Sequence, residues 1–266
     1  MTVTAATLAG GDNNQDRYVI GDNFAIVLDG ATSIAGNRSH DPGWFAEQLG
    51  DAITEHISGP HTLPEVVEHA IRAVRDRHRL TPESSPTSTV AIARWADDVI
   101  ETYVLGDSTV ALLMTDGSEA VQTDTRLSAV APDIRATYRD RLAHGHGYDQ
   151  THRQILTRLQ YLQSRKRNVP EGYWIAGADP TAGCRGKALR EHLGSVRAVI
   201  LASDGVEPWR HPDRFTWTDL HRVAQEIGAP GVLRQLHAIE DADPDGQRWP
   251  RSKRHDDKTV VLISRS

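Results

Sequence analysis

Between residues 88 and 115, three short segments rich in β-branched and apolar residues follow one another with almost no chain between them. Ala96-Asp97-Asp98 separates Ser88–Trp95 from Val99–Leu105, and Gly106-Asp107-Ser108 separates Val99–Leu105 from Thr109–Thr115. Connections this short and polar predict antiparallel neighbours, so the stretch reads as a meander. The pattern recurs near the N-terminus, where Arg17–Ile20 and Phe24–Leu28 flank the turn Gly21-Asp22-Asn23. Two further strand-like runs come late, Arg197–Ala202 and Thr259–Ser264.

Helical periodicity fills the intervals. Trp44, Phe45, Leu49, Ile53 and Ile57 share one face. Pro64 can open a second helix, with Val66, Val67, Ala70, Ile71 and Val74 inward. Leu220, Val223, Ala224 and Ile227 mark a third, and Pro230 can open a fourth carrying Val232, Leu233, Leu236 and Ile239. Grouped strands alternating with helix pairs do not fit a doubly wound parallel sheet. They predict an α+β chain of stacked antiparallel sheets covered by helices.

The chain has 36 acidic and 30 basic residues, a formal charge of −6, which argues against general nucleic-acid binding. No 18-residue apolar run marks a membrane span. No basic, apolar leader precedes Gly10, so the expected setting is cytoplasmic. The single cysteine, Cys184, excludes an internal disulfide and any multi-cysteine metal site. One segment departs from the average: 135–167 carries eight basic residues and two acidic ones, Asp140 and Asp149. It includes a helix with Ile155, Leu156, Leu159 and Leu162 on one side, and reads as a flap inserted between two strands. Its basic face fits a solvated surface, or a grip on an acidic or phosphorylated partner. His144, His146 and His152 cluster there, more in keeping with a solvated loop than with a metal site.

The acidic residues at strand ends carry the chemistry. Asp29 follows Phe24–Leu28 and precedes Gly30; Asp107 lies in a turn; Asp204 follows Val199–Ser203 and precedes Gly205. Asp256 and Asp257 stand just before the last strand, and Asp16 just before Tyr18–Ile20. Strand ends of a sandwich gather at its two rims, so several of these can converge. Clustered carboxylates repel unless cations neutralise them. All-oxygen donors select hard ions such as Mg²⁺ or Mn²⁺, and two such ions can activate water for attack on a phosphoryl group.

The order Asn14-Gln15-Asp16, Val27-Leu28-Asp29-Gly30, Pro86-Thr87-Ser88-Thr89, Leu105-Gly106-Asp107-Ser108, Leu201-Ala202-Ser203-Asp204-Gly205 and Asp256-Asp257-Lys258-Thr259 resembles the metal-dependent protein phosphatases of type 2C (the PPM family) over nearly the whole chain. The resemblance implies one domain over 1–266, a four-layer αββα sandwich of two central antiparallel sheets flanked by helix pairs, with a helical flap at 124–185. It also implies two ions of Mn²⁺ or Mg²⁺: Asp29 bridging both, the Gly30 carbonyl on the second, Asp204 and Asp256 on the first. Asp16 then holds metal-bound water, and Asp107 helps hold a third, weaker ion. Asp256 is preferred to Asp257 because the family ligand stands three residues before the threonine, with Asp257 the alternative register. A metal-bridging hydroxide would attack phosphorus directly in phosphoserine or phosphothreonine of a protein, opposite a serine/threonine kinase, so Cys184 is not needed as nucleophile.

Two positions depart from that pattern. The arginine that many members carry five residues before the first aspartate is Gly11 here, leaving Arg17 and Arg38 as candidates to bind phosphate. The usual Asp-Gly-Met-Gly-Gly reads Asp29-Gly30-Ala31-Thr32-Ser33. The substrate is therefore also open to a small phosphorylated metabolite, or the chain to a catalytically weak sensor that keeps the fold.

Overall fold

The structure, a computed structural model, describes residues 1–31, 41–206 and 215–265. Its eleven strands are β1 (Thr2–Leu8), β2 (Asp16–Ile20), β3 (Phe24–Ala31), β4 (Thr87–Ser88), β5 (Val90–Ala96), β6 (Val99–Leu105), β7 (Thr109–Met114), β8 (Glu119–Thr123), β9 (Lys187–His192), β10 (Val196–Ala202) and β11 (Lys258–Ser264). The α-helices are α1 (Pro42–His56), α2 (Leu63–His78), α3 (Pro132–Ala143), α4 (Gln150–Ser164) and α5 (Trp217–Asp241). One sheet has the order β1-β11-β10-β7-β8, the other β2-β3-β5-β6-β9, with β4 paired to β3. Every pairing is antiparallel.

Alternation along single strands builds the layers. In β3, Phe24, Ile26 and Leu28 pack under α1 and α2, while Ala25 and Val27 face the other sheet. In β10, Ala198, Ile200 and Ala202 meet α5, and Val199 and Leu201 face inward. The four-layer αββα sandwich follows. Both faces of each sheet are covered, so these strands read as nearly continuous apolar runs. The outer layer over the first sheet is a helix pair as well. At Gly228 the backbone leaves the helical region (φ 74°, ψ 163°), and Pro230 opens a second segment, so α5 is two helices end to end. Thr216 caps the first: its hydroxyl accepts from Asp219 N–H at 3.1 Å, and its own N–H donates to the Asp219 carboxylate at 3.0 Å.

The meander expected over 88–115 is corrected. β5 and β6 form a hairpin, but β6 and β7 belong to different sheets. Gly106, at φ 85°, turns the chain across the sandwich instead of back along it. Strands buried on both faces carry no alternation that tells one sheet from the other, and a short polar connection suits either route. The Ser88–Trp95 run also breaks at Thr89 into β4 and β5. Sequence periodicity missed β1, β8, β9 and α3, which are short, edge-lying or mostly polar.

Between β8 and β9, α3 and α4 share a small core of Tyr138, Leu142 and Leu159. His152 on α4 ties this segment to the loop before β11, meeting the Ser252 carbonyl at 3.0 Å. Among the described residues, no helix is long and apolar enough to cross a membrane.

Arg251 anchors the loop that follows α5. Its side chain is 2% exposed and donates to the Asp243 carboxylate at 2.9 Å and to the carbonyls of Glu240, Asp243, Trp249 and Arg254. Removing one partner of a buried ion pair strands the other. Arg251→Ala is predicted to lower the unfolding free energy by about 3–5 kcal/mol, measured from urea denaturation; a loss under about 1 kcal/mol would contradict this anchoring role.

Candidate functional site

Antiparallel pairing sets Asp16 on β2 directly opposite Asp29 on β3. The crossing between sheets delivers Asp107, the end of β10 delivers Asp204, and the start of β11 delivers Asp256. Asp29, Asp107, Asp204 and Asp256 line one cavity of about 230 Å³, with Gly30 beside them. Four carboxylates from both sheets thus share one address.

Small residues let the backbones come this close. A Cβ on Gly30 would lie 2.8 Å from the Gln15 carbonyl oxygen, and one on Gly205 would lie 2.0 Å from that of Asp257. Asp-Gly at these places is therefore a packing requirement as well as a turn signal. The Asp29 carbonyl accepts from Thr89 N–H at 2.9 Å, and Ser203 N–H donates to the Thr259 carbonyl at 3.0 Å. Lys258, fully buried, donates to Glu240 at 2.6 Å and to the Asp256 carbonyl at 2.8 Å, which fixes the backbone carrying that carboxylate.

The adjacent carboxylates have different duties. Asp257 accepts from Gly10 N–H at 2.8 Å and Gln15 N–H at 2.7 Å, tying the N-terminal loop to β11. It does not line the cavity, whereas Asp256 does and meets Lys253 Nζ at 2.7 Å. Asp16 is 2% exposed, and neither of its oxygens has a hydrogen-bond partner. The Ser203 and Thr259 hydroxyls lie near it and draw its carboxyl down, less than burial raises it. Burial, then Asp204 and Asp257, push the Asp16 carboxyl up to about 7. Burial, then Asp16, Asp204, Asp256 and Asp107, hold Asp29 well above the ordinary carboxylate range. Burial works against the charge on Lys253, yet Asp256, Asp204 and Asp29 hold it above its usual value.

Other candidates fall elsewhere. Arg17 donates to the carbonyls of Asn14 at 2.9 Å and Asp16 at 2.7 Å and does not line the cavity. Arg38 lies outside the described residues. Gly11 is exposed, with nothing within 4 Å of where a Cβ would stand. His152 packs against Tyr138 and Tyr148, away from a common site with His144, whose ring meets the Asp140 carbonyl. Cys184 and Arg190 stand at the spacing of a cysteine-dependent phosphatase loop, but the fold separates their roles. The Cys184 thiol donates to Glu68 at 3.1 Å, and burial and that carboxylate push it up to about 11, while Arg190 lies on β9 opposite Glu101.

Of the cavity wall, Gln160 and Lys253 carry no sequence signal; Tyr173 reads as a groove-lining aromatic or as packing for the flap, and Arg135 and Arg167 only as members of the basic segment. The basic excess of 135–167 was the one signal for the two arginines. Trp174, next to Tyr173, is core instead, buried against the α1–α2 layer under the Arg185 guanidinium. A further cluster, His237, Glu240 and His255, has its carboxylate committed to Lys258.

No protein-family model and no curated protein sequence matches the chain. Solved structures do resemble it. The catalytic domain of serine/threonine protein phosphatase PstP in complex with two manganese ions aligns over 99% of this chain and 97% of its own, at TM-score 0.57 and 17% identity. Serine/threonine phosphatase Stp1 from Staphylococcus aureus aligns over 99% and 94%, at 0.59 and 12%. The Mycobacterium tuberculosis serine/threonine phosphatase PstP/Ppp aligns over 100% and 99%, at 0.57 and 15%. These likenesses establish the fold.

The buried acids carry a pH signature. Asp16 binds its proton more tightly in the folded chain, near 7, than at its ordinary 3.8. The stability from that proton is fully present below about pH 4 and is lost as pH rises through about 7. With EDTA present, Tm is predicted to fall between pH 5 and 8. Asp29→Asn should raise Tm at pH 7.5 by at least about 3 °C, on the order of 1 kcal/mol for a chain this size, and flatten the pH slope. Differential scanning fluorimetry reads both, and a lower Tm for Asp29→Asn would contradict the repulsion.

Proposed function

We propose that the chain is a metal-dependent phosphatase that hydrolyses phosphoserine and phosphothreonine in proteins. The observation that carries this reading is the convergence of Asp29, Asp107, Asp204 and Asp256 on one cavity between the sheets. The Mn²⁺-bound PstP domain has the same fold. The donors fit hard divalent ions: they are all oxygen, they repel one another, and Asp16 behind them has two buried oxygens without partners.

In this reading Asp29, the Gly30 carbonyl, Asp204 and Asp256 would together hold two ions of Mn²⁺ or Mg²⁺. Asp107 would help hold a third, weaker ion. Two divalent ions held there would acidify water and neutralise phosphoryl oxygens. Asp29 and Asp16 must give up any proton they hold before they serve, so activity rises as pH climbs toward neutral. Asp16 then accepts hydrogen bonds from water at the centre. Lys253 holds Asp256 in place and keeps a positive charge beside the cavity. The segment 124–185 acts as a flap over the site within a single domain. Phosphoproteins as substrates, a serine/threonine kinase as counterpart and a cytoplasmic setting complete the reading, in keeping with a lone cysteine that forms no disulfide.

The test is hydrolysis of p-nitrophenyl phosphate and a phosphothreonine peptide by EDTA-stripped protein with Mn²⁺ or Mg²⁺ restored. Activity is predicted only with metal, and Asp29→Asn, Asp204→Asn and Asp256→Asn should each lose about 10²–10³-fold or more in kcat, the scale of losing one preorganised charge-stabilising group. Asp257→Asn should keep kcat within about tenfold and instead lower Tm, because that carboxylate is occupied by backbone amides. Metal-independent turnover, or an inactive Asp257→Asn beside an active Asp256→Asn, would overturn the assignment.

A further inference from the structure

The cavity has two faces of opposite charge. Its floor is the carboxylate group. The 127–167 segment adds two arginines to the same lining, Arg135 on the first turn of α3 and Arg167 just beyond α4. Lys253 is already engaged by Asp256, but the arginines are not engaged by any acid. Among the described residues neither forms an ion pair, and the Nε of each is buried without a partner. Arg135 makes one long side-chain bond, Nη2 to the Leu127 carbonyl at 3.3 Å, and the Arg167 side chain makes none among the described residues.

A guanidinium cannot shed its charge at any ordinary pH. The Nε of each is buried without a partner, and both half-buried side chains line the same cavity, so they are placed to take an acceptor that comes from outside. The arginines are also held in place. Asn168, in the left-handed region at φ 51°, donates its side-chain amide to the Ile175 carbonyl at 3.1 Å and accepts from Ile175 N–H at 2.9 Å. Ala176 and Ser88 exchange backbone hydrogen bonds at 3.0 and 3.1 Å, which pins this loop to β4, itself paired with Gly30. Arg135 rides on α3, whose Tyr138 and Leu142 pack against Leu159 of α4. Between the two faces, Leu127, Leu156, Leu159 and Ile175 supply apolar wall that limits water.

We propose that Arg135 and Arg167 form a two-arginine clamp for the oxygens of a dianionic phosphomonoester, opposite the carboxylate floor. The proposal rests on the phosphatase reading of this cavity and names the residues that select its substrate. Two forked cations match a dianion carrying three terminal oxygens better than a diester monoanion with two. The clamp comes from the inserted segment and not from the loop around Gly11, none of whose residues is among those lining the cavity.

The experiment uses the full chain loaded with Mn²⁺ and inorganic phosphate as the probe, by isothermal titration calorimetry, beside phosphothreonine-peptide kinetics. Arg135→Ala and Arg167→Ala should each raise the phosphate Kd and the peptide KM about 10–100-fold, with Mn²⁺ affinity unchanged within about twofold and Tm close to wild type. Arg135→Lys and Arg167→Lys, which keep charge and stem, should still lose about tenfold, because an ammonium cannot make the paired bonds; they serve as the measured variants if an alanine variant fails to fold. A phosphate Kd within twofold of wild type in the substituted proteins overturns the clamp. Phosphate binding that depends on both arginines in a chain without hydrolytic activity overturns the phosphatase reading and leaves the clamp standing. Metal-dependent hydrolysis with unchanged KM in the variants does the reverse. A wild-type chain that neither binds phosphate nor hydrolyses the peptide overturns both.

Discussion

Mutual repulsion among buried or half-buried carboxylates is the constraint around which this molecule is arranged. Burial, and then the neighbouring acids, raise the proton affinity of Asp16 and Asp29. Such a group costs stability in the empty protein. The two sheets, the helices over them and the loop before β11 together supply the rigidity that keeps the acids from moving apart. Function here draws on stability gained elsewhere, in cores such as Leu28, Phe45 and Ile53 under the helices and Val27, Val199 and Val261 between the sheets.

The means of holding are specific. Backbone meets backbone at Gly30 and Gly205, where a methyl group would not fit. Asp257 spends its carboxylate on two amides and so anchors the strand that carries Asp256. Lys258 holds the Asp256 carbonyl from the other side, and Arg251 closes the loop behind both. Two neighbouring acids with the same side chain thus divide the labour, one structural and one facing the cavity.

Much of this was legible in the sequence, for physical reasons. Helix faces such as Val66, Val67, Ala70, Ile71 and Val74 repeat with the helical period, and each turns inward as expected. Asp-Gly pairs at strand ends pointed to the rim because a close backbone approach needs glycine. The sheet change at Gly106 was not legible, since β6 and β7 are buried on both sides and show no face. The division between Asp256 and Asp257 depends on where Gly10 and Gln15 present their amides, which no local pattern records. Arg135 and Arg167 showed only as part of a basic excess, because a solvated arginine and one turned into a cavity look alike in sequence. Arg17 looked available, yet the carbonyls of Asn14 and Asp16 claim it.

The central claim is that divalent cations relieve this repulsion at a cavity whose empty form holds protons in their place. Its most direct test is calorimetric titration of the EDTA-stripped chain with Mn²⁺ near pH 6.5, repeated in buffers of different ionisation enthalpy to count protons released. The account predicts two tightly bound ions per chain and the release of about one proton or more, since the Asp16 carboxyl is pushed up to about 7 and Asp29 is raised as well. Binding without proton release, or no Mn²⁺ bound by folded protein, would contradict it.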